Sequence, residues 1–255
     1  MAIILDGKKL SEKILEDLRK KIKKSGKKLK LAAVLVGEDE RSKIFLRQKE
    51  KACKKVGVDF KLYQFSQDIG QEKLAKEVKT IGRHKLCHGI VIQLPLPEYI
   101  NANEILSLIP PEKDVDALSG KALVLSPVLE GILELLKEYK IELKGKKVAV
   151  VGRGRLVGEP VATWFLKQGI EVVENVEEAD VIISGVGKPG FVINGNIIKE
   201  GAVVIDAAGD VDFDSVEKKA SYITPVFGGV GPMTVAMVIK NLIVLNKVYP
   251  GRFMG

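Results

Sequence analysis

The chain has 255 residues, enough for one large or two modest domains with real cores. Its 46% hydrophobic and 29% charged residues exclude a disordered polymer, and no apolar run approaches the roughly 18 residues that span a bilayer. The net charge of +8 invites a nucleic-acid partner, but much of the excess is Lys on amphipathic helices, at 20–24 and 51–55, and aromatics are only 5%, too few to stack on bases.

The opening residues 1–7 lack a charged n-region, an apolar h-region and a cleavage site, so a cytoplasmic location is expected, with Cys53 and Cys87 as free thiols. An amphipathic helix is predicted over 7–24, an apolar strand over 29–36 and a helix over 39–56. Residues 60–65 alternate like a strand, 71–82 are helical, and 89–94 form a buried strand. Strands separated by helices mean βαβ units and a parallel sheet. Pro110-Pro111 breaks the pattern and marks the end of this region. A helix over 127–139 leads to a second series: strand 147–151, a glycine-rich turn at 152–158, and helix 159–168. Strands follow at 171–173, 181–184 and 202–206, and a last helix spans 233–245. The glycines of 228–231 and Pro232 punctuate a tight loop feeding that helix.

One lysine is out of place. Projected at about 100° per residue, the helix over 39–56 gathers Ile44, Phe45, Gln48, Ala52, Cys53 and Val56 on one side, and Lys49 falls in that inward group. An ammonium on an apolar face either snorkels to the rim or needs a partner, and its pKa is readily lowered there, which suits acid/base work near neutral pH. Gln93 ends the apolar run Ile90-Val91-Ile92, and Asp116 closes Lys113-Asp114-Val115-Asp116. Ligands of open parallel sheets bind beyond the carboxyl ends of the strands, so a Lys, a Gln and an Asp converging there would make a site.

Four blocks then carry a resemblance. Ser42-Lys43-Ile44-Phe45-Leu46-Arg47-Gln48-Lys49-Glu50-Lys51-Ala52-Cys53 is similar to the motif S-x-x-Y-V-x-x-K-x-K-A-C of the methylenetetrahydrofolate dehydrogenase/cyclohydrolase family. Gln93-Leu94-Pro95-Leu96-Pro97, Lys113-Asp114-Val115-Asp116 and the stretch from Thr224-Pro225-Val226-Phe227 to Pro232-Met233-Thr234 match further family blocks in the same order. The resemblance implies that Lys49 is the catalytic lysine, that Gln93 orients it and tunes its charge, and that Asp116 hydrogen-bonds a pterin ring. It also implies a folate substrate held by Phe45, Leu94, Pro95, Gly228, Gly229 and Pro232. The activity implied is oxidation of 5,10-methylenetetrahydrofolate with NAD or NADP, then hydrolysis to 10-formyltetrahydrofolate. Phe45 stands where the family has tyrosine, so that hydroxyl is lost while the ring remains.

The turn Gly152-Arg153-Gly154-Arg155-Leu156-Val157-Gly158 follows a strand and opens a helix, as a phosphate-binding turn requires, although a tight packing turn has the same glycines. The resemblance assigns the dinucleotide to Gly152, Arg153, Gly154, Val157 and Gly158, with Ala208 and Gly231. The family has serine at Gly154, and a loop and helix after the strand that ends at Val173. Both are missing here, because residues 174–180 run almost directly into the next strand. Glu174, at the end of the second strand, could accept ribose hydroxyls and would favour NAD over NADP.

The fold expected is α/β: an N-terminal three-layer domain with a parallel sheet, plus a Rossmann-like nucleotide-binding domain. The division expected is 1–117 completed by 223–255, with 118–222 inserted; the family implies a homodimer. No metal is expected, since His84, Cys87 and His88 have no second cluster to complete a tetrahedral site and the Asp114/Asp116 pair has no phosphate-transfer motif beside it. Two alternatives to the bifunctional enzyme stay open. One is a cyclohydrolase alone with a vestigial nucleotide domain. The other is a non-catalytic nucleotide- or nucleic-acid-binding module.

Overall fold

The computed structural model describes residues 1–248. It opens with strand β1 (Ile3–Ile4) and helix α1 (Gly7–Ser25), followed by β2 (Lys30–Val36), α2 (Glu40–Val56), β3 (Asp59–Phe65), α3 (Gln71–Arg83), β4 (Gly89–Ile92) and α4 (Ala102–Ser107). Then come α5 (Pro127–Glu138), β5 (Lys147–Val151), α6 (Gly158–Lys167), β6 (Glu171–Val173), β7 (Val181–Ser184), β8 (Val203–Asp206), α7 (Phe213–Glu217), β9 (Tyr222–Ile223) and α8 (Val230–Leu245). No helix among these residues is long and apolar enough to cross a membrane.

The chain separates into two compact units. One, Lys13–Pro127 with the chain from Val235, is built on a parallel three-stranded sheet in the order β3-β2-β4. Strand β2 is buried on both faces. Ala32, Val34 and Val36 join Leu74, Val78 and Ile81 of α3 and Ile105 and Leu106 of α4 in one core, while Ala33 and Leu35 pack with Leu46 of α2. Gly89 lets that second face close tightly, because a Cβ there would lie 2.7 Å from both Leu242 of α8 and Val115.

The other unit, Met1–Glu12 with Val128–Thr234, carries a six-stranded sheet in the order β1-β9-β8-β7-β5-β6, all pairs parallel. The expected division placed 1–12 and 223–234 with the catalytic domain. The backbone joins them to the nucleotide unit instead, because Ile3 and Ile4 pair with Tyr222 and Ile223 at the sheet edge. Residues 249–255 of the expected C-terminal segment lie outside the described residues.

Several local readings shift. Strand β4 stops at Ile92, before Gln93, and α8 starts at Val230 rather than Met233. Pro232 fits in the first turn of α8 because a helix start needs no N–H there. The short elements β1, α4, α7 and β9 carry too few residues to show a period. The expected absence of a helix between β6 and β7 is observed: only a 3₁₀ turn, Val176–Glu178, spans that connection.

Candidate active site

In the first unit, β2 is flanked by β3 on one side and β4 on the other, so the chain reverses direction across the sheet between β2 and β4. Helix α2 begins just beyond the carboxyl end of β2. Asp39 caps it by accepting from the Ser42 amide at 2.7 Å. The buried Ser42 hydroxyl donates to the Leu94 carbonyl at 3.4 Å, tying the helix start to the segment that leaves β4. The inward face of α2 comprises Ser42, Leu46, Lys49, Ala52, Cys53 and Val56. Ile44 and Phe45, expected on that face, are instead about half exposed, and Gln48 is exposed. The reason is rotational: Leu46 and Ser42 lie in the same row as Lys49 and Cys53 at three- and four-residue spacing, and the sheet claims that row.

Lys49 is 7% exposed. Its Nζ donates to Gln93 Oε1 at 3.3 Å and lies 3.7 Å from Asp116 Oδ2. Gln93 Nε2 donates in turn to the Leu94 carbonyl at 2.9 Å, so both ends of the amide are engaged and its oxygen is aimed at the amine. The three residues singled out by sequence therefore meet at the carboxyl edge of one sheet.

Asp116 is held by its neighbours in the chain. Lys113 Nζ donates to the carbonyls of Gly82 and His84, capping the end of α3. Asp114 bridges alongside Ile90, is fully buried, and accepts from the Leu118 and Ser119 amides. Val115 is also fully buried, and Asn241 of α8 donates to its carbonyl at 2.9 Å and to that of Leu125 at 3.0 Å. With both flanks fixed, Asp116 points into the site. Burial pushes its carboxyl up from 3.8, the Lys49 ammonium works against that, and Asp114 adds to the rise.

In the second unit, β5 is flanked by β6 and β7. The turn after β5 is shaped by close backbone approach. Gly152 has φ +90°, and a Cβ there would lie 2.8 Å from the Gly185 carbonyl oxygen. A Cβ at Gly158 would lie 2.0 Å from the Gly152 oxygen, and one at Gly185 would strike Val157 at 2.4 Å. Gly154 differs, since the nearest heavy atom to an added Cβ is 3.9 Å away. No side chain caps α6, whose N-cap is Val157. Arg153, Gly154, Glu174 and Ala208 are exposed.

Two carboxylates organise the neighbouring loops. Asp206 accepts from the amides of Ala208, Gly209, Asp210 and Val211. Asp210, 2% exposed, accepts from the Ser184 hydroxyl at 2.6 Å and from the Val186 and Gly187 amides at 2.7 and 2.8 Å. After β9, the Thr224 hydroxyl accepts from the Asp206 amide, and Lys8 N–H donates to the Gly228 carbonyl. Gly228 has φ +95°, and Gly229 packs on Thr224, where a Cβ would sit 2.9 Å from that side chain's Cβ. Gly231 has open space around it, and Pro232 is half-buried.

Comparison with known proteins decides the family. The model for the tetrahydrofolate dehydrogenase/cyclohydrolase catalytic domain matches residues 5–116, and the model for the NAD(P)-binding domain of the same family matches 126–249. The chain belongs to the tetrahydrofolate dehydrogenase/cyclohydrolase family. It is 40% identical to the bifunctional protein FolD of Nautilia profundicola over 278 residues, covering 96% of this chain and 97% of that one. That stretch is longer than the 255-residue chain itself, so the relative carries residues omitted here. Among solved structures, the Campylobacter jejuni bifunctional enzyme FolD matches with a TM-score of 0.89 and 36% identity, over 97% of this chain and 99% of that chain. The Trypanosoma brucei enzyme, solved with NADP and an inhibitor, matches with a TM-score of 0.91 and 32% identity, over 96% and 97%.

The residues of this family member fit a dinucleotide phosphate at the turn after β5. Free space at Gly154 and the exposed charge of Arg153, beside a helix start that no side chain caps, leave room for an anion, although the Glu159 amide is taken by the Gly154 carbonyl and Pro160 has none to offer. Sequence reasoning passed over Asn241 and Asp210. Asn241 had a visible signal, as an amide beside Lys240 in the mostly apolar α8, whereas Asp210 looks like any loop aspartate until the amides it satisfies are seen.

Proposed function

We propose that this chain oxidises 5,10-methylenetetrahydrofolate to the 5,10-methenyl cation and hydrolyses that cation to 10-formyltetrahydrofolate, with Lys49, Gln93 and Asp116 as the catalytic group. The observation that carries this is a nearly buried amine, held between an amide oxygen and a carboxylate at the mouth of a parallel sheet. NAD(P), when bound, accepts the hydride of the first step. The second step needs a proton taken from water as its oxygen bonds to the methenyl carbon, and a proton delivered as one carbon–nitrogen bond of the ring opens, while the remaining hydroxyl proton leaves to solvent as the formyl group forms. Lys49 Nζ suits both transfers, because Gln93 fixes its direction without adding charge. Asp116, raised by burial, can offer its carboxyl as a hydrogen-bond donor or acceptor to the pterin ring.

Phe45 offers the exposed face of its ring to the substrate, and Leu94 and Pro95 line the exit of β4. Gly228, Gly229 and Pro232 are read as substrate contacts, with Gly152, Arg153, Gly154, Val157, Gly158, Glu174, Ala208 and Gly231 as the dinucleotide's. The family resemblance also supports a homodimer in the cytoplasm. A solution mass of a single 27.9 kDa chain would overturn the dimer.

The test is the absorbance of methenyltetrahydrofolate. Lys49→Met is expected to slow its hydrolysis by about 10²- to 10⁴-fold, and an unchanged rate would remove Lys49 from the mechanism. The short connection after β6 favours a second reading, hydrolysis alone. That reading requires that methylenetetrahydrofolate give no methenyl absorbance with either NAD or NADP.

A further inference from the structure

We infer that the groove between the carboxyl ends of α1 and α2 binds the phosphate backbone of double-stranded nucleic acid, without sequence preference and independently of the reaction proposed above.

The charge of the chain is concentrated there. Residues 19–30 hold eight cations and no acid, which equals the whole net charge of +8, so the remainder of the chain is balanced. Helix α2 starts beyond the carboxyl end of β2 and ends just before β3, so its last turn lies at the amino edge of the sheet, opposite Gln93. It faces the end of α1 there across a groove of about 650 Å³. Arg19, Lys23 and Lys27 line one wall, and Lys54 and Lys55 line the other. Among the described residues, no acid and no aromatic ring joins them.

Helix ends account for part of this charge. Lys23 lies in the last turn of α1 and Lys54 and Lys55 in that of α2, while Lys27 Nζ donates to the carbonyls of Asn246 and Lys247, just past α8. Each carboxyl end presents roughly half a negative charge, so three ends offset about one and a half of the five cations. Arg19 also lies 3.3 Å from Glu16, but both side chains are solvent-exposed and such pairs are weak. Among the described residues, nothing pairs with the amines of Lys23, Lys54 or Lys55. The uncompensated excess is the complement of a polyanion.

The lining narrows the class of polyanion. Four of the five cations are Lys, compact charges suited to phosphate, whereas carboxylates are best held by the fork of Arg. The large apolar residues of the lining, Ile22 and Val56, are buried, so the groove has nothing to insert into a bilayer. Without a ring to stack on bases it can grip a strand only by its phosphates, which favours a duplex over a single strand.

The experiment is fluorescence anisotropy of the full-length protein with labelled duplex DNA and duplex RNA of random sequence. Neutralising about four phosphates gives a log–log salt slope of about −4, and roughly a hundredfold loss of affinity between about 50 and 200 mM salt. Lys54→Glu/Lys55→Glu should weaken binding at least about tenfold. The neutral pair Lys54→Gln/Lys55→Gln, gentler at a helix end, should flatten the slope by about 2. Lys76→Glu/Lys79→Glu, on the exposed face of α3, changes the net charge as much as the Glu pair and should leave affinity within about twofold. Methenyltetrahydrofolate hydrolysis and the melting temperature of the Gln pair should match the parent, since these side chains are exposed and lie at the edge opposite the site. No binding at about 50 mM salt, or equal weakening by the α3 pair, overturns the assignment. So does binding to anionic phospholipid vesicles with none to either duplex.

Discussion

The two sheets solve the same topological problem with opposite materials. In each, a central strand has its successor on one side and a later strand on the other, β2 between β3 and β4 and β5 between β6 and β7, and the site forms at the carboxyl edge of that reversal. In the first unit the edge is furnished by long polar side chains brought indoors: Lys49, Gln93 and Asp116. Each is paired, because a buried charge without a partner is strongly destabilising. In the second unit the edge is furnished by bare backbone. Gly152, Gly158 and Gly185 crowd together, and the carboxylates nearby, Asp206 and Asp210, are spent on loop amides. The first edge thus carries groups that can exchange a proton, and the second carries close-packed backbone.

This contrast can be broken at three points. Gly158→Ala should have the largest effect on the fold, because its Cβ would lie 2.0 Å from the Gly152 oxygen and only backbone movement relieves the clash. A loss of about 1–3 kcal/mol, or more, is expected in urea unfolding; a variant as stable as the parent would show that the turn is not held by close approach. Asp116→Asn should act through pH. Burial raises the native carboxyl above 3.8, so over that window the folded chain keeps a proton the unfolded chain has released. The stability owed to this group therefore falls as pH climbs from 3.8 through the raised native value and is constant above it. Melting temperatures from acidic to neutral pH should show that slope in the parent and a flatter profile in the variant. Gly154→Ser should have the smallest effect, within about 0.5 kcal/mol, since an added side chain has open space there. A large loss of stability would mean that the whole turn, and not three glycines of it, is packed to the limit.

Much of this was legible in the residues. The long elements had a clear period, and α2, α3, β5, β6 and β7 lie within a residue or so of their expected limits. Lys49 was conspicuous because a charge interrupts an apolar row, and Gln93 because an amide ends a buried strand. The rotation of α2 was not legible. Phe45 is as apolar as Leu46, and only packing against Ala33 and Leu35 decides which of them faces the sheet. The edge strand β1 and its neighbour β9 were equally hidden, since two residues carry no alternation and their pairing joins opposite ends of the sequence. Asp210 was hidden because its meaning lies in the amides of Val186 and Gly187, more than twenty residues earlier in the chain.

The amide of Asn241 has a consequence for the order of synthesis. The backbone that presents Asp116 is braced at Val115 and Leu125 by a residue of the final helix, and the entire stretch Val128–Thr234 is translated in between. At ordinary elongation rates that interval is on the order of ten seconds. The nascent chain can settle its nucleotide-binding sheet during this time, while the loop bearing Asp116 waits for its clamp. A chain cut short before α8 would thus carry a formed glycine turn after β5 and an unbraced Asp116.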